Sequence, residues 1–168
     1  TWLDFCTFVP YFRKDKVKSI SVRRYFIYLG YNGKNFRGWQ IQPNGMTVQQ
    51  SIEEALAILM RKPVPIVGAG RTDAGVHARL MIAHFDWEGP IEDLAFLAEK
   101  LNRLPSKDIA VYKIVPVVPE AHARFDACER EYRYYIEPAK NPFTRALTWQ
   151  NFVPLDLERM NLAAALLP

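Results

Sequence analysis

A chain of 168 residues, 49% of them apolar, has material for one sizeable core, or for one domain and the start of another, and this composition excludes a disordered chain. The 22 Lys and Arg against 18 Asp and Glu leave a net charge of +4, a surplus that suits a polyanionic partner only where it gathers on one face. Cys6 and Cys128 lie far apart with no His placed beside them, so neither a disulfide framework nor a zinc site is indicated, and reduced thiols in the cytoplasm are expected.

Residues 1–21 show neither a helical nor a strand period and read as an extension of unknown structure. Thr1 to Phe12 is apolar, but its basic residues follow the apolar run, and Asp4 and Pro10 interrupt it, unlike a signal peptide. No run reaches the length of a membrane span, so a protein without membrane association is expected. Basic residues cluster at Arg13, Lys14, Lys16, Lys18, Arg23 and Arg24, and again at Arg124, Arg130, Arg133, Lys140 and Arg145. The first group, taken alone, serves solubility as readily as it serves a polyanion.

Val22 to Gly30, rich in aromatic and β-branched residues, predicts a strand that ends at the turn formers Asn32 and Gly33. Pro43-Asn44-Gly45 marks a second turn. Thr47 with Gln50 three residues on predicts a capping box, and Val48, Ile52, Ala55, Leu56 and Leu59 then recur at helical spacing up to Pro63. Val64 to Ala69 predicts a short buried strand running into a Gly-spaced loop, and Leu80 to Asp86 another strand. Pro90 is expected to open a helix with Ile91, Leu94, Leu97, Ala98, Leu101 and Leu104 on one face, closed by Pro105. Asp108 to Val118 and Arg130 to Pro138 predict further strands, Phe152 and Val153 the start of another, and Asp156 caps a helix over 157–167.

This order predicts an α+β fold: an antiparallel sheet with two helices on one face, a split βαβ unit whose other face stays free, as in RNA-binding domains. The expected organisation is the extension 1–21, an α+β domain over 22–120 that carries the loop, and the beginning of a second similar domain over 121–168.

The loop is Gly68-Ala69-Gly70-Arg71-Thr72-Asp73-Ala74-Gly75-Val76-His77-Ala78. Its glycines permit a tight turn and the close approach of a ligand to the main chain. Asp73 sits at the tip near Arg71, and a neighbouring cation favours the ionised carboxylate, the form that serves as nucleophile or base. The same residue types also make ordinary surface turns with solvated ion pairs.

Gly70 to Ala78 resembles the signature of the tRNA pseudouridine synthase A family. Tyr31-Asn32-Gly33-Lys34-Asn35-Phe36-Arg37-Gly38-Trp39-Gln40-Ile41-Gln42 resembles that family's first motif. His122-Ala123-Arg124-Phe125-Asp126-Ala127 with Arg130-Glu131-Tyr132-Arg133-Tyr134-Tyr135-Ile136 resembles a later one. Order and spacing agree from about Val22 onward. The resemblance implies isomerisation of uridine to pseudouridine at positions 38, 39 and 40 of the tRNA anticodon stem-loop, by a cytoplasmic homodimer that uses no cofactor and no metal. It implies Asp73 as the essential carboxylate, Tyr132 as the aromatic that meets the flipped base, and Arg71 as the side chain that fills the vacated space in the RNA.

Arg124 resembles a family arginine lining the same cleft. Trp39 and Gln40 are candidates for RNA contact by stacking and hydrogen bonding or for support of the loop, and Thr72 for a loop-backbone bond beside the RNA. Asp73, Arg71, Tyr132 and Arg124 are expected to converge on one cleft. His77 is expected to be structural, with His84 and His122 weaker candidates still. The resemblance further implies that a complete member continues the second domain and supplies another motif facing Asp73, so that this chain corresponds to part of such a protein. The alternative reading is a non-catalytic RNA-binding module.

Overall fold

The computed structural model describes residues 22–166, and the reading of 1–21 as an extension falls outside the described residues. Two compact units divide between Tyr132 and Arg133.

The first unit contains β1 (Val22–Tyr31), α1 (Val48–Met60), β2 (Val67–Gly68), β3 (Ala78–Glu88), α2 (Leu94–Leu101) and β4 (Ile109–Val117). The strands form one sheet in the order β2-β3-β1-β4, with every neighbouring pair antiparallel. The architecture is therefore α+β, as the sequence predicts.

β1 lies inside the sheet, and its register explains its composition. Successive side chains of a strand point to opposite faces. Yet Tyr25, Phe26 and Ile27 are all buried, so both faces of the sheet are covered at this point. On one face Tyr25 stacks on its cross-strand partner Phe85 at 5.3 Å, and its hydroxyl accepts the Ile91 N–H ahead of α2. On the other, Phe26 lies opposite His84, whose ring meets His122 at 4.6 Å, and Phe125 stacks on His122 at 4.2 Å. The face expected to stay free is thus covered over its middle by the segment that follows β4.

Arg24 holds that segment as well. Its guanidinium makes a two-pronged pair with Asp86, at 2.7 and 2.8 Å, and donates to the Ala121 carbonyl at 3.0 Å. This pairing holds the Asp86 carboxyl below its usual range and raises the arginine. One member of the first basic cluster is therefore committed to the fold.

Local rules account for most helix ends and tertiary contacts for the exceptions. Thr47 caps α1 by accepting from the Gln50 N–H, but the expected return bond is absent because the Gln50 amide reaches Glu54 instead. β2 is confined to two residues where six were expected. The reason lies in α1: the Glu53 carboxylate accepts the Ile66 N–H and the Gln49 amide donates to the Ile66 carbonyl, which removes both groups from the ladder. α2 begins at Leu94, later than Pro90, because Asp93 takes the capping position and accepts from the Phe96 N–H at 2.8 Å. It ends where the Asn102 side chain exchanges two 2.7 Å bonds with the Val111 backbone on β4.

In the second unit, β5 (Ile136–Glu137) pairs in parallel with β6 (Trp149–Gln150), followed by α3 (Leu157–Ala164), capped by Asp156 as expected. The predicted strand over 130–138 shrinks to these two residues, with the Tyr135 carbonyl just before them accepting the Trp149 N–H at 2.8 Å, and Phe152 and Val153 are not in a strand. The loop between β5 and β6 closes on Glu137, which accepts from Thr144, Thr148 and Asn141, and these donors hold its carboxyl below the ordinary range.

His84 gives the first unit a pH dependence. Burial first, then the charges of Arg24 and His122, push its pKa down to about 4, with Asp86 and Asp126 opposing. Its Nδ1 accepts the Ala123 N–H at 3.2 Å, which requires an unprotonated nitrogen. The unfolded chain binds the proton more readily, so this contribution is complete above the ordinary histidine pKa near 6.5 and is lost as pH falls towards 4. Allowing for solvent screening, it amounts to roughly 2 kcal/mol. Urea unfolding at pH 7.5 and 4.5 is expected to show a larger loss for the parent than for His84→Gln, and equal losses would exclude His84 as the source.

Candidate active site

The loop between β2 and β3 is held from both sides. At its start the Ala69 N–H donates to the Ile82 carbonyl at 2.7 Å. In its middle the Thr72 carbonyl accepts the Trp39 N–H, and the Thr72 hydroxyl pairs with the Tyr31 hydroxyl at 2.9 Å. Asp73-Ala74-Gly75-Val76 is a turn closed from the Val76 N–H to the Asp73 carbonyl. Gly75 at φ +82° supplies the conformation that a type II turn requires at its third residue. The Gly75 N–H bonds to the Phe36 carbonyl, tying the turn to the Tyr31–Gln42 segment.

That segment approaches the loop closely. Gly38 has φ +85°, and a Cβ there would stand 2.3 Å from the Thr72 carbonyl oxygen. Trp39 is 3% exposed, with its ring against Tyr31 and over Gly68. Its faces are enclosed, so of its two candidate roles the geometry supports the loop and leaves no surface for a base to stack on. Gln40 is exposed beside it. Thr72 is half-buried with its hydroxyl engaged by Tyr31, which makes it a fastening of the loop. His77 accepts the Gly33 N–H through Nδ1 at 3.1 Å, the structural role anticipated for it.

Arg71, Thr72 and Tyr132 line one cavity together with Arg130 and Glu131. Its volume is about 20 Å³, room for a water molecule and not for a nucleobase. Tyr132 is 57% exposed, so part of its ring faces outward. Asp73 and Arg124 do not line this cavity, and the expected convergence of four side chains is met by two of them. Nor does an ion pair join Arg71 to Asp73. Both are exposed, and a pair of flexible side chains in water gains little by closing. Asp73 instead stands on the open turn one residue beyond Thr72. Among the described residues no group of three or more His, Cys, Asp or Glu could hold a metal ion, and no helix is long and apolar enough to cross a membrane.

Family profiles give no match to the chain. Individual relatives do. The tRNA pseudouridine synthase A of Parabacteroides distasonis is 77% identical over 146 residues, which cover 87% of this chain and 58% of that protein. The protein of the same name from Bacteroides fragilis is 56% identical over 145 residues, 86% of this chain and 58% of the relative. At greater distance, that from Limosilactobacillus fermentum is 43% identical over 148 residues, 85% and 57%. The chain belongs to the tRNA pseudouridine synthase A family. It spans somewhat under three-fifths of the length of these relatives.

In this member of the tRNA pseudouridine synthase A family, two features of the site escape the sequence reading. Arg130 stands in the quoted motif but reads there only as part of a basic cluster. One of its terminal nitrogens donates to the carbonyl of Ala69 at 2.9 Å and to that of Arg124 at 3.0 Å. The second is the His84–His122–Phe125 stack, which seats the segment carrying Arg124. His122 adds to this by accepting the N–H groups of Arg124 and Phe125 on Nδ1. Only the motif membership of Arg130 and His122 signals either feature in advance.

Proposed function

We propose that the chain carries the catalytic loop of a tRNA pseudouridine synthase that isomerises uridines at positions 38–40 of the anticodon stem-loop, in the cytoplasm, as a homodimer when complete and without a cofactor. The observation that carries this reading is the joint lining of one cavity by Tyr132 and by Arg71, which belongs to a loop whose backbone is fastened and whose next residue but one is an exposed carboxylate. The element order and the strand order β2-β3-β1-β4 fit a ferredoxin-like, RNA-binding-domain-like unit with both helices on one face.

The reaction breaks the bond between ribose C1′ and uracil N1, turns the base, and rejoins it through C5, with no net redox change. Asp73 attacks the ribose or the base, or removes a sugar proton, and each of these needs an ionised oxygen that reaches the nucleotide. Exposure on a turn provides that reach. The target base leaves its stack at a cost of a few kcal/mol, about what an inserted side chain recovers by filling the gap, and Arg71 is long enough to insert. The outward part of the Tyr132 ring offers the extruded uracil a stacking surface, since the cavity behind it is too small for a base. Its hydroxyl is a candidate to move a proton at C5. Arg124 and Gln40 meet the RNA beside the base, while Thr72 and Trp39 hold the loop.

Two measurements test this reading. Release of tritium from tRNA labelled at uridine C5 reports the isomerisation, and filter binding across a salt series reports the interface. Binding is expected to weaken steeply with salt, because each Arg or Lys on a phosphate displaces counterions. A flat salt response would exclude the basic residues from the interface. Salt-dependent binding without tritium release would favour a non-catalytic RNA-binding module.

A further inference from the structure

We infer that Arg130 is a positioning residue: its guanidinium fixes the root of the Asp73 loop to the segment that carries Arg124. The inference rests on the synthase reading for its meaning, but its geometry stands independently. The two carbonyls it bonds belong to different parts of the unit. Ala69 is the last residue before the loop leaves the sheet, with its N–H spent on Ile82, and Arg124 follows the buried Ala123 in the segment after β4. Both acceptors meet at one terminal nitrogen, which has one hydrogen for each. The guanidinium is also close to the loop, its Nε 3.6 Å from where a Cβ on Gly70 would stand.

The two anchored parts are otherwise set by different contacts. The loop hangs on Tyr31, Phe36 and Trp39. The Arg124 segment hangs on Arg24 and His84. Without Arg130, each is held by its own contacts alone, so the loop opens more readily and the spacing between the two loses a tie. Arg71, Tyr132 and Arg130 line the same cavity, so a change in that spacing reaches the residues assigned to the base. Reacting groups tolerate little displacement: about 1 Å can cost on the order of 100-fold in rate.

Arg130→Met keeps the length and removes the donors. Arg130→Lys restores an ammonium with three hydrogens able to serve both carbonyls. In the methionine variant of the 168-residue chain, the backbone carbonyl ¹³C signals of Ala69 and Arg124 should both move upfield. The Gly75 and Val76 amides should exchange with solvent about tenfold faster, the scale set by a loss of roughly one hydrogen bond. The lysine variant should restore both readouts towards the parent. In turnover of unmodified tRNA transcript, methionine should lower kcat by about 10- to 100-fold with KM within about threefold, and lysine should recover most of it. Unmoved carbonyl signals, or amide exchange equal to the parent, would overturn the inference. So would a raised KM at unchanged kcat, which is the signature of a phosphate contact. Absence of turnover in the complete parent protein would count against the synthase reading, while the carbonyl and exchange measurements would still decide whether Arg130 positions the loop.

Discussion

In a complete version of this protein, Asp73→Asn is expected to abolish tritium release from C5-labelled tRNA, by at least about 10³-fold, while changing tRNA affinity by less than about threefold. The substitution preserves shape and removes the ionised oxygen. Because Asp73 is exposed on its turn and its backbone carbonyl, not its side chain, closes that turn onto Val76, the fold has no stake in the carboxylate. Binding rests on basic and stacking contacts spread over the surface, and an acid contributes only repulsion towards phosphate, so affinity is expected to hold or to rise slightly. Arg71→Ala should behave differently. It lines the cavity beside Tyr132, and its loss should lower both turnover and binding. Turnover by Asp73→Asn near the parent rate would remove the carboxylate from the mechanism.

The second large effect is expected at Gly38→Ala, which should destabilise the first unit by about 3 kcal/mol. Two costs combine. A side chain at φ +85° is strained by about 1 kcal/mol, and the added methyl would meet the Thr72 carbonyl oxygen at 2.3 Å, where neither backbone can yield without losing the Trp39 to Thr72 bond. Gly75→Ala separates the two. Its φ of +82° imposes a similar strain, but nothing lies within 4 Å of the new Cβ, so a loss of only about 1 kcal/mol is expected. Urea unfolding of both variants measures the difference. Equal losses would mean that the close approach of Gly38 to the loop does not constrain it.

Where local and tertiary signals agree, the sequence was legible. β1 is read correctly because a run of aromatic and β-branched residues suits a strand buried on both faces, and α1 because its cap and its apolar spacing point the same way. Asp156 announces α3 for the same reason. The misreadings all depend on a distant partner. Nothing within Val64 to Ala69 says that Glu53 and Gln49 will claim the backbone of Ile66.

At the site, the loop, its turn and the structural part of His77 follow from residue types and spacing. The burial of Trp39 does not, since it depends on the absence of a side chain at Gly68, nearly thirty residues away. Nor does the absence of an Arg71–Asp73 pair, because closeness in sequence says little about two exposed side chains on a turn. Arg130 reads as surplus positive charge until the carbonyls of Ala69 and Arg124 are seen to meet at it.

The most direct test is to locate the product. Pseudouridine has the mass of uridine but keeps a carbodiimide adduct that arrests reverse transcriptase, so its position in an unmodified tRNA transcript can be mapped after incubation with a complete version of the protein. The account predicts arrests at positions 38–40 with the parent and none with Asp73→Asn at equal occupancy of the RNA. Arrests that persist in Asp73→Asn, or a complete parent protein that binds the transcript and leaves every uridine unchanged, would contradict it.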